Sequence, residues 1–520
     1  MKMTVAKHPI ALAMFGLAVP WSTVVGAAVV DPELEAAMQT GADVAFIAQF
    51  SERVDLGAFP GQGQGGGMRL AALLWALRNL ADASQKSAVE LLKAGGANRI
   101  IKLWSINALA ATASPDVVRE LAALPEVETI KLDATLAAPG LAPAASAPSE
   151  WNLEAVQVPA VWDQGLTGAG SVVAGMDTGV DAFHPDLVGR WRAGSNSWFD
   201  PNGEHPTPYD PSGHGTGTMS VAVGGDAGGT SIGVAPGAEW IAVKMFNDAG
   251  VASLSGIHQG FQWLLDPDGN PATADIPDVV NNSWGFANQA GQCYLEFQPD
   301  LEVLKAAGIA VVFAAGNQGN LGSVSPANNP DGFGVGAVDS TLSVTWTSSI
   351  GPSPCDGSVF PEVVAPGVGI RAADLGSGYQ SISGTSFAAP HVAGAIALLR
   401  QAHPDASVGA LEQALMASAT DIGPAGADNT YGHGLLNLPV ALDLLGTLPP
   451  PGPVCTDVDG DTFFAEADCG TPVDCADLDP AINPAACDIK GDGIDQNCDG
   501  VDRRSGKACP TTGGGTGKNK

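Results

Sequence analysis

The stretch Ser381 to Leu399, SISGTSFAAPHVAGAIALL, decides how the rest of the chain is read. Ser386 follows Gly384 and Thr385, small residues that let another backbone come close, and an Ala-rich apolar run from Phe387 to Leu399 begins at once. The pattern predicts a buried helix with a serine in its first turn. Unpaired N–H groups and the positive end of the helix dipole favour negative charge developing there, which suits a hydroxyl to acyl transfer. Pro390 falls near the start of the run, where a missing N–H is expected to cost little, and Val392, Ile396, Leu398 and Leu399 keep the remainder apolar. The same stretch also reads as a plain core helix with an N-cap serine, so partner residues elsewhere must decide.

At 520 residues the chain exceeds one ordinary domain, and three or four units are expected. A formal charge of −32, from 23 basic and 55 acidic residues, argues against nucleic acid or an anionic membrane as partner. With 45% apolar residues wholesale disorder is excluded. Lys2 and Lys7 precede an apolar run from Ile10 to Val19, which Pro20 breaks, and the small residues Val25, Gly26 and Ala27 follow. Residues 1–27 therefore read as a cleaved secretory signal, and no other stretch is long enough for a transmembrane anchor, so an extracellular protein is expected. In that oxidising setting the eight cysteines divide unevenly: Cys293 and Cys355 lie mid-chain, and the other six fall between Cys455 and Cys509. A Cys293–Cys355 bridge and a separate stapled module are expected.

Residues 28–140 read as a small α+β module. Its expected elements are a strand at Asp43 to Phe50, a helix at Met68 to Leu92, a strand at Ile100 to Ala111, a helix at Pro115 to Ala123 capped by Ser114, and a strand at Val127 to Leu132. Gly61, Gly63 and Gly66 match the dinucleotide spacing, but no βαβ unit frames them, so a loop is expected there and no cofactor. Ala134 to Ser149 is Ala- and Pro-rich and reads as a linker. Residues 151–446 then alternate strands (Ser171 to Met176, Ile241 to Met245, Val279 to Ser283, Ile309 to Ala314) with helices such as Leu254 to Leu265. The expectation is an α/β domain with a mostly parallel sheet, whose ligand site lies beyond the C-terminal strand ends, where Asp177, Ser283 and Asn317 fall. Residues 447–454 form a Pro-rich linker, 455–509 an Asp- and Cys-rich module and 510–520 a flexible tail.

Acyl transfer by Ser386 needs a base, a carboxylate to hold that base, and donors for the oxyanion. His214 is set among glycines and small hydroxyl residues in Gly213-His214-Gly215-Thr216-Gly217-Thr218, Asp177 ends a buried strand, and Asn317 follows another. His184, His391, His403 and His433 read as structural. In this order and context the residues closely resemble the subtilisin-like serine proteases (subtilases, peptidase family S8), most like the bacillopeptidase F branch. The resemblance runs from about Trp151 to Leu445 through MDTGVDAFHPDL, GHGTGTMS, NNSWG, AAGNQG and GTSFAAPHVAGAIALL.

The resemblance implies a three-layer subtilisin-like domain. It also implies a secreted monomeric endopeptidase in which Asp177 orients, His214 is general base then acid, Ser386 is the nucleophile, and Asn317 with the Ser386 N–H binds the oxyanion. An extended polypeptide is expected to pair with two edges, Ser283-Trp284-Gly285 and Ala314-Ala315-Gly316, with Trp284 either a pocket wall or a core aromatic. Residues 28–140 are expected to be an inhibitory propeptide that the enzyme removes itself.

The C-terminal module resembles the Asp- and Cys-rich metal-binding repeats at the ends of secreted bacterial proteins. Asp457, Asp459, Asp461, Asp495 and Asp499 are candidate ligands for calcium, although Gly460 and Thr462 depart from an EF-hand loop. A solvated acidic tail is the alternative reading. No cofactor is expected in the chemistry itself. The competing function is a calcium-dependent surface or adhesion protein on an inactive protease-like scaffold; intact Asp177, His214, Ser386 and Asn317 argue against it.

Overall fold

The computed structural model describes residues 28–59, 66–143 and 150–447, with isolated positions 482, 484, 486, 496 and 498. The proposed signal and the candidate calcium ligands lie outside the described residues.

Strands whose apolar residues are continuous rather than alternating can be covered on both faces, and that is how the central sheet is built. Its seven strands run in the order Val363–Pro366, Phe333–Val338, Ala310–Ala314, Val279–Asn282, Val172–Asp177, Glu239–Lys244, Trp198–Phe199. Every pairing is parallel. Successive side chains part to opposite faces: Val279, Ala310 and Val312 join one core, while Val280, Val311 and Phe313 join another. The helix Thr385–Ala402 covers the first face together with His214–Val223, and Leu254–Leu264 and Gln298–Ala307 cover the second. A Cβ on Gly394 would meet Val234 Cβ at 2.6 Å and Ala222 O at 2.9 Å, so glycine permits this close helix approach. This is the parallel α/β sheet that the sequence pattern predicts, in the three-layer architecture that the family resemblance implies.

The N-terminal unit is a five-stranded sheet in the order Val29–Val30, Val127–Leu132, Val44–Phe50, Ala108–Ala113, Asn98–Leu103. Phe46, Ala48 and Phe50 face its own core beneath the helices Lys86–Ala94 and Pro115–Ala122, whereas Ile47 joins the second core of the α/β domain. The helix Gly66–Ser84 adds Leu70, Leu73, Leu74 and Leu77 to that shared core, each worth about 1.5–3 kcal/mol when fully buried.

Three expectations are corrected. The single helix Met68 to Leu92 is two, because Gln85 between them is buried with its amide donating to Asn107 Oδ1 at 3.0 Å. The strand Ile100 to Ala111 is a hairpin that turns at Trp104–Ile106, with Asn107 in the left-handed region at φ 47°. The segment read as a linker carries two short strands, Thr135–Ala137 and Ala142–Pro143, both paired with the α/β domain. Cys293 and Cys355 form the expected disulfide, with Cα atoms 4.8 Å apart. No helix among the described residues is long and apolar enough to cross a membrane.

Candidate active site

Asp177 is the last residue of the strand Val172–Asp177. Glu239–Lys244 lies on one side of that strand and Val279–Asn282 on the other, so the sheet changes its direction of growth there, the place where ligands gather in such folds. A buried carboxylate must be satisfied, and this one accepts from Thr178 N at 2.7 Å and Thr218 Oγ1 at 3.3 Å. His214 Nδ1–H donates to Asp177 Oδ1 at 2.7 Å, with Oδ2 at 3.0 Å. That places the free Nε2 on the other side of the ring, where it has no hydrogen-bond partner among the described residues.

His214 opens the helix His214–Val223, whose start can approach the strand end because position 215 is glycine: a Cβ there would meet Gly179 O at 2.2 Å. Asp210 receives that helix start, accepting from Gly213 N at 3.0 Å, Thr216 N at 2.8 Å and the hydroxyls of Thr216 and Thr178. Burial alone would lower the His214 pKa. The charge and hydrogen bond of Asp177, backed by Asp210, outweigh it and hold the value above that of ordinary histidine.

Ser386 stands in the first turn of Thr385–Ala402 and is nearly buried. Pro390 lies within that helix, so Ser386 O lacks the N–H four residues on, and the cost expected to be small is met by another group. The Ser283 hydroxyl donates to Ser386 O at 2.8 Å, and Ser386 Oγ–H donates back to Ser283 O at 3.2 Å. Ser386 and His214 share the site without a hydrogen bond between them. Asn317 Oδ1 accepts from Thr385 N at 3.0 Å and Thr385 Oγ1 at 3.1 Å, leaving its Nδ2 beside Gly384. Asn317 and Ser386 both line a cavity of about 590 Å³.

The sequence model described as the Subtilase family matches residues 168–434. Bacillopeptidase F of Bacillus subtilis (strain 168) is 35% identical over 407 residues, which cover 71% of this chain and 28% of that protein. Alkaline protease of Alkalihalobacillus alcalophilus is 35% identical over 338 residues, 65% of this chain and 80% of that protein. Subtilisin Savinase of Lederbergia lenta is 36% identical over 292 residues, 56% and 97% respectively.

The chain is a subtilase. It is thereby a serine-type peptidase, and it spans 28% of the length of Bacillopeptidase F. The subtilase's proposed groove edges differ in kind. Ser283, Trp284 and Gly285 lie just beyond the strand Val279–Asn282 and line the cavity. The Trp284 indole is 3% exposed and packs edge-on against Phe297 and Phe313, so it is chiefly a core aromatic. Ala314 and Ala315 are not a free edge. Ala314 pairs with Val335, and Ala315 N donates to Val335 O at 3.0 Å, so they and Gly316 form a wall.

The edge that the subtilase pairs with an extended segment is Val251–Ser253, which binds Thr135–Ala137 antiparallel. Sequence reading missed it; the small residues Gly250 and Ala252 beside the Ser253 cap were the available signal. It also missed Asp210, which stands four residues before His214, and Trp346, an indole 89% exposed that lines the cavity.

Proposed function

We propose that this subtilase is a secreted endopeptidase made as a zymogen, in which residues 28–140 are an inhibitory propeptide that the enzyme itself removes. One observation carries the reading: residues 137–140 line the same cavity as Ser386 and Asn317. They are pinned on one side by the ladder Thr135–Ala137 with Val251–Ser253 and on the other by Ala142–Pro143 with Ile382–Ser383. The chain's own backbone therefore lies in the groove as an extended polypeptide.

In the proposed reaction the Ser386 hydroxyl turns from Ser283 O to His214 Nε2, gives up its proton and attacks a peptide carbonyl. Asp177 holds the tautomer and stabilises the imidazolium, while Asn317 Nδ2 and the Ser386 N–H receive the oxyanion. His214 then protonates the leaving amine, and water repeats the sequence on the acyl-enzyme. These steps use protein groups alone. Residues 1–27 would direct secretion, and Asp457, Asp459, Asp461, Asp495 and Asp499 would hold calcium in the module 455–509, both proposals carried by the sequence.

The test is a fluorophosphonate probe together with casein digestion. The wild-type chain should be labelled and digest casein, and Ser386→Ala should do neither and keep residues 28–140 attached. A folded wild-type chain that takes no label would overturn the reading in favour of an inactive scaffold.

A further inference from the structure

Away from the cavity, the N-terminal unit meets the α/β domain through a row of charged groups, buried at Glu296, His258 and Asp300 and partly exposed at Lys131. Lys131 Nζ lies 2.7 Å from Glu296 Oε1, and the Glu296 side chain is 2% exposed. Behind it His258 spans two carboxylates, with Nε2 3.0 Å from Glu296 Oε1 and Nδ1 2.8 Å from Asp300 Oδ2. The Tyr294 hydroxyl donates to Glu296 Oε2 at 3.2 Å. Lys131, Glu296 and His258 alternate in sign, and Asp300, whose pKa burial raises, closes the row within walls that include Phe297 and Phe261. Burial would push the Glu296 pKa up. The hydrogen bond from His258 and the charge of Lys131 overcome that and hold it at about 2.

Taking Lys131 away while the surface stays covered would leave Glu296 without that cation in a dry site, which costs far more than losing an exposed pair. Two residues along, on the same side of the strand end, Asp133 accepts from Ser255 N at 2.9 Å and from Ser255 Oγ at 2.6 Å, at the start of the helix Leu254–Leu264. The α/β domain thus presents an acid and a helix N-terminus to a segment that must read basic, any residue, acidic.

We propose that Glu296 is the acidic socket by which the α/β domain recognises its own N-terminal unit, with Lys131 as the residue it selects. An apolar residue at position 131 would leave Glu296 desolvated without its cation, and an acidic one would be repelled. The proposal rests on the reading of residues 28–140 as an inhibitor and names what holds that inhibitor after the chain is cut.

The experiment follows the purified full chain by intact mass, for cleavage, and by peptide hydrolysis, for activity. The wild-type chain should show cleaved mass before activity, the delay being release of the cleaved unit. Lys131→Met should cleave itself and shorten that delay at least tenfold, with the final activity unchanged, and Lys131→Arg should restore it. Glu296→Gln should match Lys131→Met, and the double variant should be no faster than either single one, since both remove the same contact. Should Lys131→Met fail to accumulate as a folded chain, Glu296→Gln carries the test. An unchanged delay in Lys131→Met, or in Glu296→Gln where that variant carries the test, overturns the proposal, as does an additive double variant. A wild-type chain that is cleaved and active with no delay removes the inhibitory reading itself, and the proposal with it.

Discussion

His214 and His258 make an instructive pair. Both imidazoles are buried, both lie at a helix bonded to carboxylates, and in both the carboxylates raise the pKa against the effect of burial. They differ in the second ring nitrogen. His214 gives Nδ1 to Asp177 and keeps Nε2 without a partner among the described residues, whereas His258 has Glu296 on one nitrogen and Asp300 on the other. His258 is held protonated, its pKa raised to about 9, and has no position left to exchange a proton with a substrate. A buried histidine beside an acid is therefore not in itself a general base; the unbonded nitrogen makes the difference.

Substitutions break the comparison in order of effect. His214→Ala should lower kcat by about a millionfold, a magnitude taken over from subtilisin, while the melting temperature changes little. His258→Gln should do the reverse: removing one member of a buried charge row costs about 3–5 kcal/mol of stability, read from denaturant unfolding of the Ser386→Ala chain, and kcat per folded molecule stays within a few fold. Asn317→Ala should reduce kcat by about 10² to 10³ with KM little altered, again on the subtilisin precedent, and an undiminished kcat would remove it from the oxyanion hole.

The pH responses sharpen the same contrast. As the proposed base His214 must be neutral, and its pKa is raised, so kcat/KM should fall on the acid side with a midpoint above the ordinary 6.5. For His258 the raised value means that its stabilisation is complete below the unfolded pKa of 6.5 and is lost as pH rises through about 9. Glu296 is depressed, so its contribution is present above 4.5 and is lost as pH falls toward about 2. The stability difference between the wild-type chain and His258→Gln should therefore be greatest between pH 4.5 and 6.5. A difference independent of pH would show that the row is not charged.

What the sequence makes legible follows from locality. Ala310 to Ala314 is apolar throughout because both faces are covered, and the site residues sit at strand ends and helix starts that small residues mark. The segment 135–143 was illegible because Ala and Pro carry no strand pattern of their own; its pairing comes from edges more than 100 residues away in the chain. His258 gave no local sign either, since Glu296 and Asp300 reach it from around the start of the helix Gln298–Ala307, and Lys131 reaches Glu296 from the N-terminal unit. Gln85 and Asn107 are similar, two polar residues whose mutual hydrogen bond ends a helix and turns a hairpin that the apolar spacing would have continued.

Pro390 has an effect beyond its own helix. Because it withholds an N–H from Ser386 O, the backbone of Ser386 is fastened to Ser283, on the wall of the cavity, instead of to the next helical turn. The return bond from Ser386 Oγ to Ser283 O closes a two-way clasp. In the proposed reaction a polypeptide seated against Ser283, Trp284 or Gly285 would pull on Ser386 too, so that seating the substrate and freeing the hydroxyl would be a single mechanical event.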